Sequence, residues 1–188
     1  NSGAVRKGAG TGTSGFDIVL NNTDATLDSG TGSLRMGPQG SHGGTITIVG
    51  GNVLFDRGSQ SFEDGAVIAG TLNAVGAAIS LGDSTLNGPI NYGGGSLAIA
   101  SGRTATIGSG ATVSLANRTI GGNGTLANDG TLTLDTMTLN GNLVNRGTAN
   151  IAGVTTIAGP GTRIDQLAGR MSLAQGASLV KNAGEMTW

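Results

Sequence analysis

The chain has 188 residues, 37 of them glycine, with 11% charged and 3% aromatic residues, no cysteine and a net charge of −1. The lack of cysteine excludes disulfides and cysteine-ligated zinc, and a balanced charge with no basic stripe argues against nucleic-acid binding. Only three prolines and no glycine period of three exclude collagen, and 37% regularly placed hydrophobic residues set the chain apart from disordered Gly/Ser-rich sequences.

Residues 1–14 read as a flexible or capping leader. Gly15–Leu20, Ser33–Met36 and Thr45–Val49 read as strands, and residues 37–44, rich in glycine and serine, as a loop inserted between them. From about residue 52 a repeat takes over. Gly124–Leu134 and Gly141–Ile151 share the frame G-x-L-x-N-x-G-T-x-x-[LI], one repeat apart. Looser copies begin at Gly70 and Gly88.

The apolar residues fall into three columns. One runs Leu54, Leu72, Ile90, Ile107, Leu126, Leu143; a second runs Leu81, Ile99, Leu115, Leu134, Ile151; a third runs Leu86, Ala105, Ile120, Leu139, Ile157. Within each column the steps are nearly equal. Thr112–Leu115 and Thr131–Leu134 alternate apolar and polar with period two, the mark of a strand with two different faces. No segment sustains helical spacing. Short strands at a fixed period predict an all-β fold, a parallel β-helix (β-solenoid) with three-sided rungs of about 18 residues, spanning residues 15–188 as one domain. Rungs stack about 4.8 Å apart, so seven or eight from residue 52 onward make a rod roughly 35 Å long. The strand-like ending at Gly184–Trp188 predicts a piece of a longer protein, its last rung covered by a continuation or by another copy.

The phrases at 122–134 and 141–148 resemble the repeats of large exported bacterial β-helix proteins, the filamentous-haemagglutinin-like adhesins and autotransporter passenger domains. The resemblance covers roughly residues 66–180. It implies a right-handed winding, a secreted or outer-surface location, and a role in adhesion or as a stalk.

A carbohydrate-active β-helix enzyme is the main rival. It needs converging carboxylates. Only Asp24/Asp28 and Glu63/Asp64 are close in sequence, and stacking offers Asp64 with Asp83. These read as solvated turn residues, so no catalytic set is assigned. The single histidine, His42, falls in the 37–44 loop and supports neither a triad nor a metal site. Gly93–Gly95 and Gly121–Gly124 lack the lysine of a phosphate loop, and Leu126 stands where a calcium nonapeptide needs aspartate. No metal and no cofactor is expected. Asn128 and Asn145 occupy one repeat position and predict a stacked amide ladder. Asp129, Arg146 and Arg163 follow at the same spacing as a surface charge column. The Thr-x-Thr pairs 45/47, 104/106, 131/133 and 136/138 share no register, and the sequons at Asn21, Asn117 and Asn123 read as chance.

The function expected is a structural or adhesive module that meets a host or bacterial surface receptor or polysaccharide through loops at 37–44 or 56–66. No nucleic acid and no membrane insertion is expected of this segment, since no run approaches ~18 apolar residues. Tyr92, Trp188, Phe16, Phe55 and Phe62 are too few for an aromatic-lined enzyme groove. A self-assembling filament, with end-to-end or lateral contact between copies, is the third reading.

Overall fold

The structure is a computed structural model, and it describes residues 1–50, 52–159, 161–182 and 185–187. These residues form 26 short strands and no helix. Their strand pairings are parallel, and the chain winds through about nine turns of a β-solenoid. Each turn visits three faces.

The first face stacks Ala4–Arg6, Asn22–Asp28, the later half of Gln39–Val49, Val67–Ala69, Ser84–Leu86, Thr104–Ile107, Thr125–Asn128, Asn142–Asn145, Arg163–Gln166 and Glu185–Thr187. The second stacks the early half of Gln39–Val49, then Ser59–Phe62, Ala78–Leu81, Ser96–Ile99, Thr119–Gly121, Thr138–Leu139, Val154–Ile157 and Ser178–Lys181. The third comes in two sheets. Thr13–Gly15, Ser33–Arg35, Val53–Phe55, Leu72–Ala74 and Ile90–Tyr92 form one. Thr112–Ala116, Thr131–Asp135, Thr148–Ile151 and Arg170–Leu173 form the other.

The sequence makes strands here because alternation matches the pleat. In Thr131–Asp135, Leu132 and Leu134 are buried while Thr131 and Thr133 point outward. The same holds for Val113 and Leu115 in Thr112–Ala116. Inward residues from three faces meet on the axis in one continuous core of Leu, Ile, Val, Ala, Met and two phenylalanines. Each fully buried aliphatic side chain contributes about 1.5–3 kcal/mol.

Rung length is not constant, and this corrects the columns read from the sequence. One rung runs only from Asn128 to Asn145, whereas another runs from Val154 to Ser178 and is much longer. A fixed period therefore slides from one face to another. Leu72 and Ile90 stack on the third face, but Ile107 lies on the first, against Leu86. Leu54 pairs with Arg35 and Asn73 on the outer side, while its neighbours Val53 and Phe55 point into the core. In the second column Leu81 stacks on Ile99, but Leu115, Leu134 and Ile151 stack on another face. Of the third column Ile120, Leu139 and Ile157 stack as expected, and Ala105 does not follow Leu86.

Ala4–Arg6 and Thr13–Gly15 pair with Thr26–Asp28 and Ser33–Arg35 as the first rung, so the leader read at 1–14 is capping rather than flexible. Two further readings change. Gly15–Leu20 is not a strand: Gly15 ends Thr13–Gly15, and residues 16–20 run on without one. Residues 39–44 are not a loop. They belong to the 11-residue strand Gln39–Val49, which turns the corner from the second face to the first. Glycine suggested a break, but strands on both sides supply pairing partners that local composition does not reveal. Within 56–66, likewise, Ser59–Phe62 is a strand.

Candidate functional site

The outer side of the second face carries small residues over five rungs. Ser41, Ser61, Ser80, Ala98 and Gly121 form one column, and Ser59, Ala78 and Ser96 form the next, which the longer Gln39 begins. Their shortness leaves a depression of about 470 Å³, which Val19 and Asn21 border at one end. A second depression of about 390 Å³ continues it across Ser96 and Ala98 to Tyr92, Asn117, Arg118 and Thr119. The two meet at Ser96 and Ala98, so together they form one shallow trough along the rod.

Arg118 and Tyr92 close its far end. The Arg118 guanidinium donates to the Gly93 carbonyl and lies over the Tyr92 ring, 5.8 Å from its centroid. That is a cation–π distance. The Tyr92 hydroxyl donates to the Gly95 carbonyl at 3.2 Å. Burial raises the Tyr92 phenol above its ordinary value, so it stays a neutral donor at neutral pH. The backbone turn at Asn117 has φ +54°, and at Thr136, lining the adjoining depression, φ is +53°. Both lie in the left-handed region, which costs a β-branched residue more than asparagine.

Inside the rod, His42 is fully buried beside Phe62 and Phe55, with ring centroids 5.0 and 5.7 Å away. It is part of a directed hydrogen-bond chain. Asn1 Nδ2 donates to Asn22 Oδ1 at 3.1 Å, and Asn22 Nδ2 meets His42 Nδ1 at 3.0 Å. His42 Nε2 meets Gln60 Oε1 at 2.9 Å, and Gln60 Nε2 donates to the Gly37 carbonyl at 2.7 Å. The amides on either side assign the proton to Nε2 and leave Nδ1 an acceptor. His42 is thus a core residue rather than a loop residue. Asn22 and Gln60 were missed in the sequence, although they stand one rung before and one rung after His42.

Burial lowers the His42 pKa below the usual 6.5, against a smaller raising effect from Gln60 and the Glu63 charge. The unfolded chain therefore takes up a proton before the folded one does. Stability contributed by neutral His42 is present above about pH 6.5 and is lost as pH falls below that value, by at most about 1.4 kcal/mol per pH unit. Thermal melts at pH 7.5 and 5.5 should show a drop for the wild type and a smaller one for His42→Gln. An equal drop in both would place the acid sensitivity elsewhere.

The expected amide ladder is present. Asn128 Nδ2 donates to Asn145 Oδ1 at 2.6 Å, and Asn145 Nδ2 donates to Gln166 Oε1 at 2.9 Å, extending the ladder one rung. A second, outward ladder joins Asn91 Nδ2 to Asn73 Oδ1 at 2.7 Å.

Charged residues pair between rungs. Arg103 reaches Asp64 at 2.9 Å and Asp83 at 3.1 Å, so the one stacked acid pair foreseen in the sequence encloses an arginine. Glu63 accepts from the Ser41 hydroxyl at 2.7 Å. Asp24 accepts from the Thr45 backbone N–H at 2.7 Å. Asp28 accepts from the Gly30 backbone N–H and from Arg6, which lower its pKa. Among the described residues, no three His, Cys, Asp or Glu side chains converge as a metal site would require.

Asp129 and Arg146 do pair, Nε to Oδ1 at 2.6 Å. Arg163 does not join them, because Ile164 stacks on Leu143 and Arg163 turns to Asp165 at 3.1 Å. An exposed pair of this kind is worth about 0–1 kcal/mol. Arg146→Asp should therefore shift the melting temperature by only a few degrees, and a collapse of the fold would show that this corner is not a solvated surface.

The Thr-x-Thr pairs 45/47 and 104/106 lie on the first face and 131/133 on the third, where Thr112, Thr131 and Thr148 stack in one outward column. The sequon residues Asn21, Asn117 and Asn123 are exposed. Of the aromatics, Phe55 and Phe62 serve the core, and Phe16 packs against it. Trp188 lies outside the described residues.

In comparisons with known proteins, no family model matches this chain, and no curated protein or solved structure matches it.

Proposed function

We propose that this chain is a structural and adhesive module of a secreted or cell-surface bacterial β-solenoid, right-handed as the resemblance of its repeats implies. The observation that carries this reading is the open trough on the second face, floored by serine, alanine and glycine on strands paired on both sides. Such a surface suits recognition of an extended partner without chemistry. The acid pair at Asp64 and Asp83 is spanned by Arg103, which favours a structural use of those carboxylates over general acid–base work. The partner suggested is a surface polysaccharide or a receptor that presents one.

Binding of the purified chain to an array of surface polysaccharides, followed by analysis of each bound polymer for cleavage products, tests the proposal. Binding with intact polymer supports a module of adhesion. Cleavage would replace it with the carbohydrate-active enzyme. Failure of every polymer to bind would leave only a passive stalk.

A further inference from the structure

We propose that the trough on the second face takes a linear acidic polysaccharide, with Arg118 as the seat for a sugar carboxylate. This rests on the adhesive reading above and adds to it the ligand class and the residue that selects it.

Six of the eight arginines, Arg6, Arg35, Arg57, Arg103, Arg146 and Arg163, sit on an aspartate. Arg118 and Arg170 have no such ion pair among the described residues, and of the two only Arg118 borders the trough, where its guanidinium is anchored. One N–H is given to the Gly93 carbonyl, and the guanidinium carbon lies 5.8 Å from the Tyr92 ring centroid. A guanidinium carries five N–H donors in a fork that matches a carboxylate in two parallel bonds. Anchoring by Gly93 and Tyr92 uses one donor and reduces the freedom lost on binding. With a net charge of −1, the chain has no general attraction for polyanions, so an acidic ligand needs a local seat of this kind.

The trough extends the seat into a subsite for a chain of sugars. From Arg118 it crosses Ala98, Ser80, Ser61 and Ser41 to Asn21, five rung steps, or about 24 Å. Its floor is short enough for close approach, and the hydroxyls of Ser61, Ser80 and Ser96 can donate and accept, whereas the Ser41 hydroxyl is given to Glu63, which sets the acidic groups of the ligand toward the Arg118 end. Interior strands there pair on both sides, so an extended peptide finds no free edge to join. Hydroxyl and amide side chains without a free backbone edge match a sugar better than a peptide.

Titration calorimetry of the chain with hexagalacturonate, its methyl ester and neutral maltohexaose decides the matter. Hexagalacturonate should bind at least about tenfold more tightly than its ester, and Arg118→Gln should abolish that difference. Ser80→Trp, which fills the trough midway, should weaken hexagalacturonate by a similar factor. Arg146→Gln, outside the trough, should not. Melting temperatures near the wild-type value confirm that each variant is folded. Equal affinity for acid and ester, no binding of hexagalacturonate, or affinity unchanged in Arg118→Gln or in Ser80→Trp, overturns the proposal. If the neutral hexaose or another polymer of the array still binds, the adhesive reading survives that failure; if nothing binds, both fall.

Discussion

Replacing Asn145 by leucine should destabilise the rod by at least about 3 kcal/mol, the largest effect expected of any single polar side chain in it. Asn145 is fully buried, and its amide has polar partners in four directions for one acceptor oxygen and two N–H donors. Its Oδ1 accepts from Asn128, and its Nδ2 lies within bonding distance of the Gly147 carbonyl, the Gln166 side chain and the Arg170 carbonyl. The last of these ties the first face to the third across a corner. Leucine is of similar size, so the loss would come from stranded donors and acceptors rather than from a cavity. For a chain of this length the melting temperature should fall by roughly 6–12 °C. The double variant Asn128→Leu/Asn145→Leu should cost less than the sum of the singles, because it removes both partners of one bond. Strict additivity would show that the two amides do not act as a ladder. In a solenoid, stability is a sum of rung and neighbour contributions, so hydrogen exchange should quicken first around residues 125–170.

Gly58→Ala should be the second severe change, and Gly65→Ala should be mild beside it. Both glycines have positive φ, +66° and +79°. An alanine in that region costs about 1–2 kcal/mol from the backbone alone. At Gly65 nothing lies within 4 Å of an added Cβ, so the cost stops there. At Gly58 the Cβ would stand 1.6 Å from the Pro38 carbonyl oxygen, which itself accepts the inter-rung bond from the Ser59 N–H at 2.9 Å. The rungs would have to separate at this corner, breaking the pairing of Gln39–His42 with Ser59–Phe62 beneath the trough. Denaturant titrations of the two variants compare the effects directly. Similar losses in both would mean that the corner yields easily and that rung spacing is not fixed there.

The amide ladder and the charge pair show how far repetition alone can reach. Asn128 and Asn145, and Asp129 and Arg146, are joined across a short rung, where the frame of the repeat and the register of stacking coincide. Wherever a corner lengthens, that coincidence ends. Arg163 keeps the spacing of that rung in the chain, yet it lands beside Asn142 rather than Arg146, because the next rung is longer. The seat at Arg118 was hidden for the same reason. Tyr92 and Arg118 are separated by a stretch of chain that matches no rung. They meet only because the second face takes a long step from Leu97 to Ile120.

Composition and period two were enough to determine strands, a solenoid with three apolar patches per turn, and a core built of aliphatic side chains. Those properties are local: an alternating Thr-Leu-Thr-Leu segment has one apolar side, and a recurring one can bury that side only against its own copies. Which residue stacks on which, the first rung formed by residues 1–14, the inward turn of His42 and the trough along the second face were decided by tertiary structure alone. Each depends on corner length. A single added residue in a corner shifts every later side chain along the stack without changing the alternation that makes the strands.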